Sequence, residues 1–132
     1  MAQENEILLT VGSQHGLYML AMLLMRQNHV IGVEEPGYPD ARNIFLLQTQ
    51  HIVPLAVDHE GVTLIRANEC DYLFVTPGRQ CPTGVTMSPQ RRQNLLQLAE
   101  QNDSIIIEDE YDAQVLVQNT TIPALKSLDR HG

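Results

Sequence analysis

Apolar residues follow two spacings along this chain, one typical of strands and one typical of helices. Runs of β-branched and aliphatic residues, bounded by glycine, proline and polar clusters, predict strands. The predicted strands cover residues 7–11, 29–34, 52–57, 72–76 and 104–107. Apolar residues three or four positions apart predict helices between them. These helices cover residues 14–26, 40–48 and 62–67, and another follows Ser88-Pro89.

The predicted helices each present an apolar face to the sheet. In the first and last helices this face is formed by Leu17, Leu20, Ala21 and Leu24, and by Leu95, Leu98 and Ala99. Ser88 is a typical N-cap residue and Pro89 suits the first helical position, so this pair predicts where the last helix begins.

Strands that alternate with helices predict βαβ units and parallel pairing, so the expected fold class is α/β. We predict three α/β/α layers around a mostly parallel sheet. Pro54 cannot donate to a strand ladder, which places its strand away from the sheet centre. The continuous β-branched run at 104–107 predicts a central strand buried on both faces. Ligands of such sheets bind beyond the carboxyl ends of the strands.

Composition adds limits on the partners. The 132 residues are the size of one domain, so 1–132 is expected to form a single unit. Sixteen acidic and eight basic residues give a net charge of −8, which repels nucleic-acid phosphates. The apolar run 17–25 is shorter than the roughly 20 residues that span a bilayer. Without a signal-peptide pattern, a cytoplasmic protein with no membrane partner is expected.

Residues that carry covalent or metal chemistry are few. Cys70 and Cys81 lack a disulfide framework or metal-ligand spacing, so both are expected to be reduced thiols. The five histidines have no metal-like spacing, and no metal site is predicted. Lys126 is the only lysine, so any lysine-based covalent chemistry within the chain must use it.

Polar residues with binding chemistry lie at the predicted strand ends. Ser13 and Gln14, at a strand-to-helix junction, suit a phosphate at a positive helix end, although Ser13 also suits an ordinary helix cap. Tyr38 can stack on a flat heterocycle or pack within its turn. Asp109 and Tyr111 can meet a ring nitrogen and a ring hydroxyl, or form a solvated acidic strand end.

Four segments together resemble the large domain of fold-type I pyridoxal-phosphate aminotransferases, the aspartate aminotransferase-like fold. They are Gly12-Ser13-Gln14, Glu35-Pro36-Gly37-Tyr38-Pro39, Pro82-Thr83-Gly84 and Ile107-Glu108-Asp109-Glu110-Tyr111-Asp112. The last segment and residues 83–88 are similar to the MocR subgroup of GntR-type transcriptional regulators. In that subgroup, an aminotransferase-like effector domain follows a DNA-binding winged helix.

The resemblance implies a role for five residues. Ser13 and Gln14 would hold the phosphate of pyridoxal 5'-phosphate, and Tyr38 would stack on its ring. Asp109 would pair with the pyridine nitrogen, which keeps the ring an electron sink, and Tyr111 would contact the ring hydroxyl. These five are the predicted cofactor-binding residues, and no catalytic residue is predicted.

The sequence departs from the family at several positions. Cys81 replaces the asparagine of the aminotransferase Asn-Pro-Thr-Gly turn, a loss that MocR-type proteins share, whereas Gly78 and Arg79 replace the usual Ser-His of that subgroup. The family's Schiff-base lysine follows a segment like 123–132, so Lys126 does not match it. We therefore expect weak, non-covalent cofactor binding at most and no transamination by this segment.

The family's further strands would lie between strands 7–11 and 104–107, so we expect an exposed sheet edge and self-association. The leading hypothesis is a fragment of a MocR-like effector domain that responds to a small amino compound and reaches DNA through a domain outside this segment. The alternatives are a fragment of a class I/II aminotransferase and a cofactor-free α/β domain that only associates.

Overall fold

The computed structural model describes residues 3–111 and 122–129. The strands are β1 Ile31–Glu35, β2 Ile52–Asp58, β3 Gly61–Val62, β4 Tyr72–Val75 and β5 Ile105–Glu108. The α-helices are α1 Gly12–Leu24, α2 Pro39–Leu46, α3 Pro89–Asn102 and α4 Leu125–Leu128. Short 3₁₀ turns cover Glu4–Glu6 and Ala67–Glu69.

The strands form one sheet in the order β3-β2-β1-β4-β5. All pairs are parallel except β2 with the two-residue β3, which confirms the mostly parallel α/β prediction. Pro54 pairs with Val33 of β1, and β3 reaches only Val57 and Asp58 of β2. Within the described sheet, the other side of Pro54 therefore faces no strand, which suits a residue without an N–H.

Side chains alternate between two cores on opposite faces of the sheet. Tyr72 and Phe74 of β4 pack with α1 and α2, whereas Leu73 and Val75 pack toward α3. The alternation follows from the two-residue period of a strand, so this four-residue strand is buried on both faces. The resulting three layers match the predicted architecture.

Helix α3 begins as predicted. The Ser88 hydroxyl accepts a hydrogen bond from the Arg91 amide at 3.1 Å, and Pro89 occupies the first turn. In α1, Leu17 and Ala21 are buried as predicted, but Leu20 and Leu24 are 39% and 40% exposed. The predicted apolar stripe of α1 is therefore wider than the face that the described residues cover.

Three sequence-based predictions are wrong. Residues 7–11 form no strand, and Leu9 is 91% exposed, because no described strand lies beside this segment to complete its hydrogen bonds. Residues 62–67 form no helix, because Val62 pairs with β2 and Arg66 adopts a left-handed backbone. Strand β5 lies at the end of the described sheet rather than at its centre, which leaves Ile105 48% exposed.

Candidate functional site

Parallel pairing brings the carboxyl ends of β1, β4 and β5 to one side of the sheet, which we call the carboxyl edge. The loops that leave these strands include residues 36–38, 76–84 and 109–111. The N-terminus of α1 reaches the first of these loops through Gln14. Four of the sequence-predicted segments are thus neighbours of one sheet edge, where open α/β sheets bind ligands.

Gln14 and Tyr38 are in direct contact. The Gln14 Nε2 donates to the Tyr38 hydroxyl at 2.9 Å, although 24 residues separate them in sequence. Asp40 joins them, because its Oδ2 accepts from Gln14 Nε2 at 2.7 Å and from the Tyr38 hydroxyl at 3.2 Å. A phosphate bound by Gln14 would have to displace Asp40 from this amide. The structure therefore brings together two of the five predicted residues.

Ser13 lies inside the first turn of α1 rather than at its cap. The residue preceding the helix is Val11, and Gly12 enters the helix with a φ of +81°, a left-handed value that favours glycine. The ordinary-cap interpretation of Ser13 is therefore wrong. Ser13 and Gln14 are both exposed in the first turn, where helix amides lack intrahelical partners and attract anions.

Asp109 follows β5 directly, and its amide donates to the Val75 carbonyl at 2.9 Å. Burial raises the pKa of the Asp109 carboxyl above its usual range. Tyr111 lies two residues further on and is 54% exposed. A half-buried acid of this kind gains from a cationic or proton-bearing partner.

A buried carboxyl group that the sequence analysis did not select lies between these loops. Glu34 of β1 is 4% exposed. Its Oε1 accepts from the Thr76 amide at 3.1 Å, and its Oε2 accepts from the Thr76 hydroxyl at 2.5 Å and from Gln80 Nε2 at 3.1 Å. Burial raises the pKa of Glu34, these hydrogen bonds oppose the rise, and the nearby charge of Asp109 adds to it.

Gln80 uses both ends of its side chain to fix the turn that follows it. Its Nε2 also donates to the carbonyls of Pro36 at 2.8 Å and Cys81 at 2.7 Å. Its Oε1 accepts from the Thr83 amide at 3.0 Å and the Thr83 hydroxyl at 2.6 Å.

The signal for Glu34 was an acid inside a strand with buried faces, since buried charges require partners. No local pattern indicated Gln80.

A hollow of about 200 Å³ opens at the end of β1, between Tyr38, Glu34 and Phe74. A larger one of about 360 Å³ lies near Leu46 and His51, at the opposite end of the strands. We assign the binding chemistry to the smaller hollow, because it alone of the two contains a predicted site residue. It is also at the edge where ligands of parallel sheets bind.

On the other side of the carboxyl edge, Arg92 of α3 is 1% exposed. It donates to the carbonyls of Met87, Pro77 and Pro123 at 3.1, 2.8 and 3.0 Å. Burial lowers the pKa of Arg92, and the charges of Glu110 and Glu108 oppose that shift. Arg92 thus fixes the start of the 76–84 loop.

Lys126 lies in α4, whose start is hydrogen-bonded to Glu108 at the end of β5. Its ammonium group is exposed and lies 3.8 Å from the Asp129 carboxylate. Its backbone amide, with that of Leu125, donates to the Glu108 carboxylate at the start of α4. That Lys126 is not the covalent lysine of the family stays a prediction.

The described residues contain neither a metal-binding cluster nor a membrane-spanning helix. Residues 3–111 and 122–129 contain no group of three or more His, Cys, Asp or Glu side chains able to hold a metal ion. None of the described helices has both the length and the apolar character needed to cross a membrane. Cys70 and Cys81 are free thiols, and burial raises the pKa of Cys70 to about 11.

The layered, mostly parallel sheet is part of the fold of the pyridoxal-phosphate-dependent aminotransferases. LysN, an α-aminoadipate aminotransferase from Thermus thermophilus solved with N-(5'-phosphopyridoxyl)-L-leucine, superposes with a TM-score of 0.81 at 25% identity. The match covers 90% of this chain and 32% of that one. Residues 1–124 match the family described as aminotransferase class I and II, and the chain belongs to that family.

Curated relatives in this family include transcriptional regulators. The chain is 37% identical over 129 residues to YdeL, an uncharacterized HTH-type transcriptional regulator of Bacillus subtilis (strain 168). It is 34% identical over 130 residues to MocR, a probable rhizopine catabolism regulatory protein of Rhizobium meliloti. The alignments cover 96% and 97% of this chain but only 28% and 26% of those proteins. The chain therefore spans about a quarter of their length.

Proposed function

We propose that this chain is part of the pyridoxal-phosphate-binding, aminotransferase-like effector domain of a MocR-type transcriptional regulator. The observation that carries the proposal is the contact of Gln14 with Tyr38, since it joins the predicted phosphate and ring contacts at one edge. Relatives at 37% and 34% identity that are regulators support this class over a free-standing enzyme.

The residues present fit pyridoxal 5'-phosphate. The exposed first turn of α1, with Ser13 and Gln14, suits the phosphate, and the half-buried ring of Tyr38 borders the 200 Å³ hollow. Asp109 offers a partly desolvated carboxylate for a protonated ring nitrogen, and Tyr111 follows it as the expected contact of the ring hydroxyl. When bound, the cofactor supplies an electron sink for the chemistry of amino compounds.

The chain's own chemistry supports recognition rather than catalysis. Lys126, its only lysine, pairs with Asp129, and Cys81 stands at the position of the family's ring-hydroxyl asparagine. We propose that the segment alone binds the cofactor weakly and without a covalent bond. In the whole protein, a small amino compound would be the effector, and DNA would be bound by another domain in the cytoplasm.

Self-association is part of the proposal. No described strand pairs with the outer side of β5, and Ile105 of this strand is 48% exposed. In the segment 7–11, Leu9 and Val11 are 91% and 87% exposed. Exposed strand edges and contiguous apolar surface favour pairing with another chain. We therefore propose a homo-oligomer in which these exposed apolar side chains are covered.

The second candidate is part of a class I/II aminotransferase, which the likeness to LysN favours. The mass of the native polypeptide, captured from its source cells and sequenced at both ends, separates the two. A product several times larger with a basic winged helix at its front is the expected result. The same core without that domain would favour the enzyme, and a native product of 14.8 kDa would contradict both in favour of an association domain.

A further inference from the structure

The strongest unassigned feature is the buried carboxyl group of Glu34. It receives three hydrogen bonds, two from Thr76 and one from Gln80, which are 42 and 46 residues away in sequence. All three contacts place a donor against the carboxyl oxygens. An ionised carboxylate accepts from all three, because both of its oxygens are acceptors.

The Glu34 contacts connect two loops of the carboxyl edge. From Gln80, one hydrogen bond continues to the Pro36 carbonyl in the loop that carries Tyr38. From Thr76, the hydroxyl accepts from the Cys81 amide at 3.3 Å. A Cβ atom at Gly37 would overlap the Glu34 carbonyl, so the Tyr38 loop also packs directly on this residue. One carboxylate therefore connects the Tyr38 loop, which lines the hollow, to the 76–84 loop.

We propose that Glu34 is a positioning residue, which fixes the Tyr38 loop and the Cys81–Thr83 turn relative to each other so that both face the cofactor ring. This inference rests on the proposed function for the identity of the ligand. The coupling of the two loops does not depend on it. Glu34 itself contacts no ring atom in this account and acts through Thr76 and Gln80.

The variant that tests the proposal is Glu34→Gln. It keeps the size of the side chain but replaces one acceptor oxygen with a donor, which then faces another donor from Thr76 or Gln80. Glu4→Gln is the matched control, because Glu4 is an exposed glutamate outside this network and outside the lining of the hollow. Val62→Ala is the second control, since it destabilises the core on the α3 side without touching this network.

Amide hydrogen exchange of the ligand-free protein measures the loop coupling. In Glu34→Gln we expect exchange to accelerate roughly tenfold or more at Thr76, Cys81 and Thr83, with Leu95 of α3 unchanged. Glu4→Gln should exchange like the wild type, and Val62→Ala should accelerate all sites together. Unchanged exchange at the three loop amides, or equal acceleration at Leu95, would overturn the proposal.

Titration with pyridoxal 5'-phosphate tests the ligand. We expect Glu34→Gln to lower the affinity about tenfold and to shift the absorption spectrum of the bound cofactor, with neither control shifting that spectrum. Equal affinity and spectrum in Glu34→Gln would contradict the positioning role. If the wild type binds no cofactor while loop exchange still accelerates in Glu34→Gln, the cofactor proposal fails and the loop coupling stands.

If Glu34→Gln does not fold, Thr76→Val replaces it. This change removes the hydroxyl that donates to Glu34 and accepts from the Cys81 amide, at nearly constant volume. Exchange should then accelerate at Cys81 but not at Thr83, whose amide bonds to Gln80. If the Cys81 amide of Thr76→Val exchanges at the wild-type rate, the hydrogen-bond network is not what orders this loop, and the proposal is wrong.

Discussion

At the scale of single residues, Arg92 has the largest side chain among the fully buried residues that the structure describes. Its guanidinium donates to three backbone carbonyls from three segments, the start of the 76–84 loop, the residue before Ser88 and the segment before α4. Buried carbonyls that lose their donors cost free energy, and three share this one side chain. Arg92 therefore contributes to stability through the loops it joins.

Replacing Arg92 with Met should lower the free energy of unfolding by at least about 2 kcal/mol, since the aliphatic chain still fills the space but the Met87 and Pro123 carbonyls lose the Arg92 donor. The Pro77 carbonyl keeps the Met87 amide as a donor. Urea unfolding monitored by circular dichroism measures the change. Gln93→Met, on the exposed side of the same helix, is the control and should cost less than about 0.5 kcal/mol. A similar small change in Arg92→Met would refute the role.

At the scale of elements, predictions succeeded where the signal was local. The start of α3 follows from Ser88 and Pro89, and the position of β2 follows from Pro54, because the Ser88 hydroxyl caps the helix and proline has no backbone N–H. The burial of β4 on two faces follows from its four consecutive apolar residues. Such signals do not require knowledge of the rest of the fold.

Predictions failed where an element depends on partners distant in sequence. The pattern at 7–11 is typical of a strand, but a strand forms only where another strand completes its hydrogen bonds. The run at 104–107 correctly predicts a strand but not its position, because the described sheet covers only one of its sides. Apolar composition indicates that a surface is to be buried without identifying what buries it.

The exposed apolar surface of these elements predicts self-association. Light scattering across micromolar concentrations should give a mass above that of the 14.8 kDa chain, rising with concentration, because Leu9, Val11 and Ile105 are covered in the complex. Ile105→Lys places a charge on the edge strand and should shift the mass toward the monomer. A monomeric mass of the wild type throughout this range would contradict the prediction.

Over the whole molecule, the topological rule for parallel sheets correctly placed the loops after β1, β4 and β5 at one edge. Gln14 contacts Tyr38 in one of these loops, although the strand 7–11 that was predicted to lead to Gln14 does not form, and Asp109 follows β5 directly. The rule did not find the Glu34, Thr76 and Gln80 network, since its members lie 42 and 46 residues from Glu34 and only the folded chain brings them together. The arrangement of loops, unlike the strands, therefore required the structure.

We propose that Ser13, Gln14, Tyr38, Asp109 and Tyr111 form a cofactor site. A fluorescence titration with pyridoxal 5'-phosphate tests this proposal most directly. The wild type should bind weakly and lose the cofactor on dialysis, and Asp109→Ala should weaken binding about tenfold or more, because the ring nitrogen loses its carboxylate. Glu100→Ala, an exposed acid on α3, should not change the affinity. Equal affinity in Asp109→Ala, or an absorbance that survives dialysis of the wild type, would contradict the account.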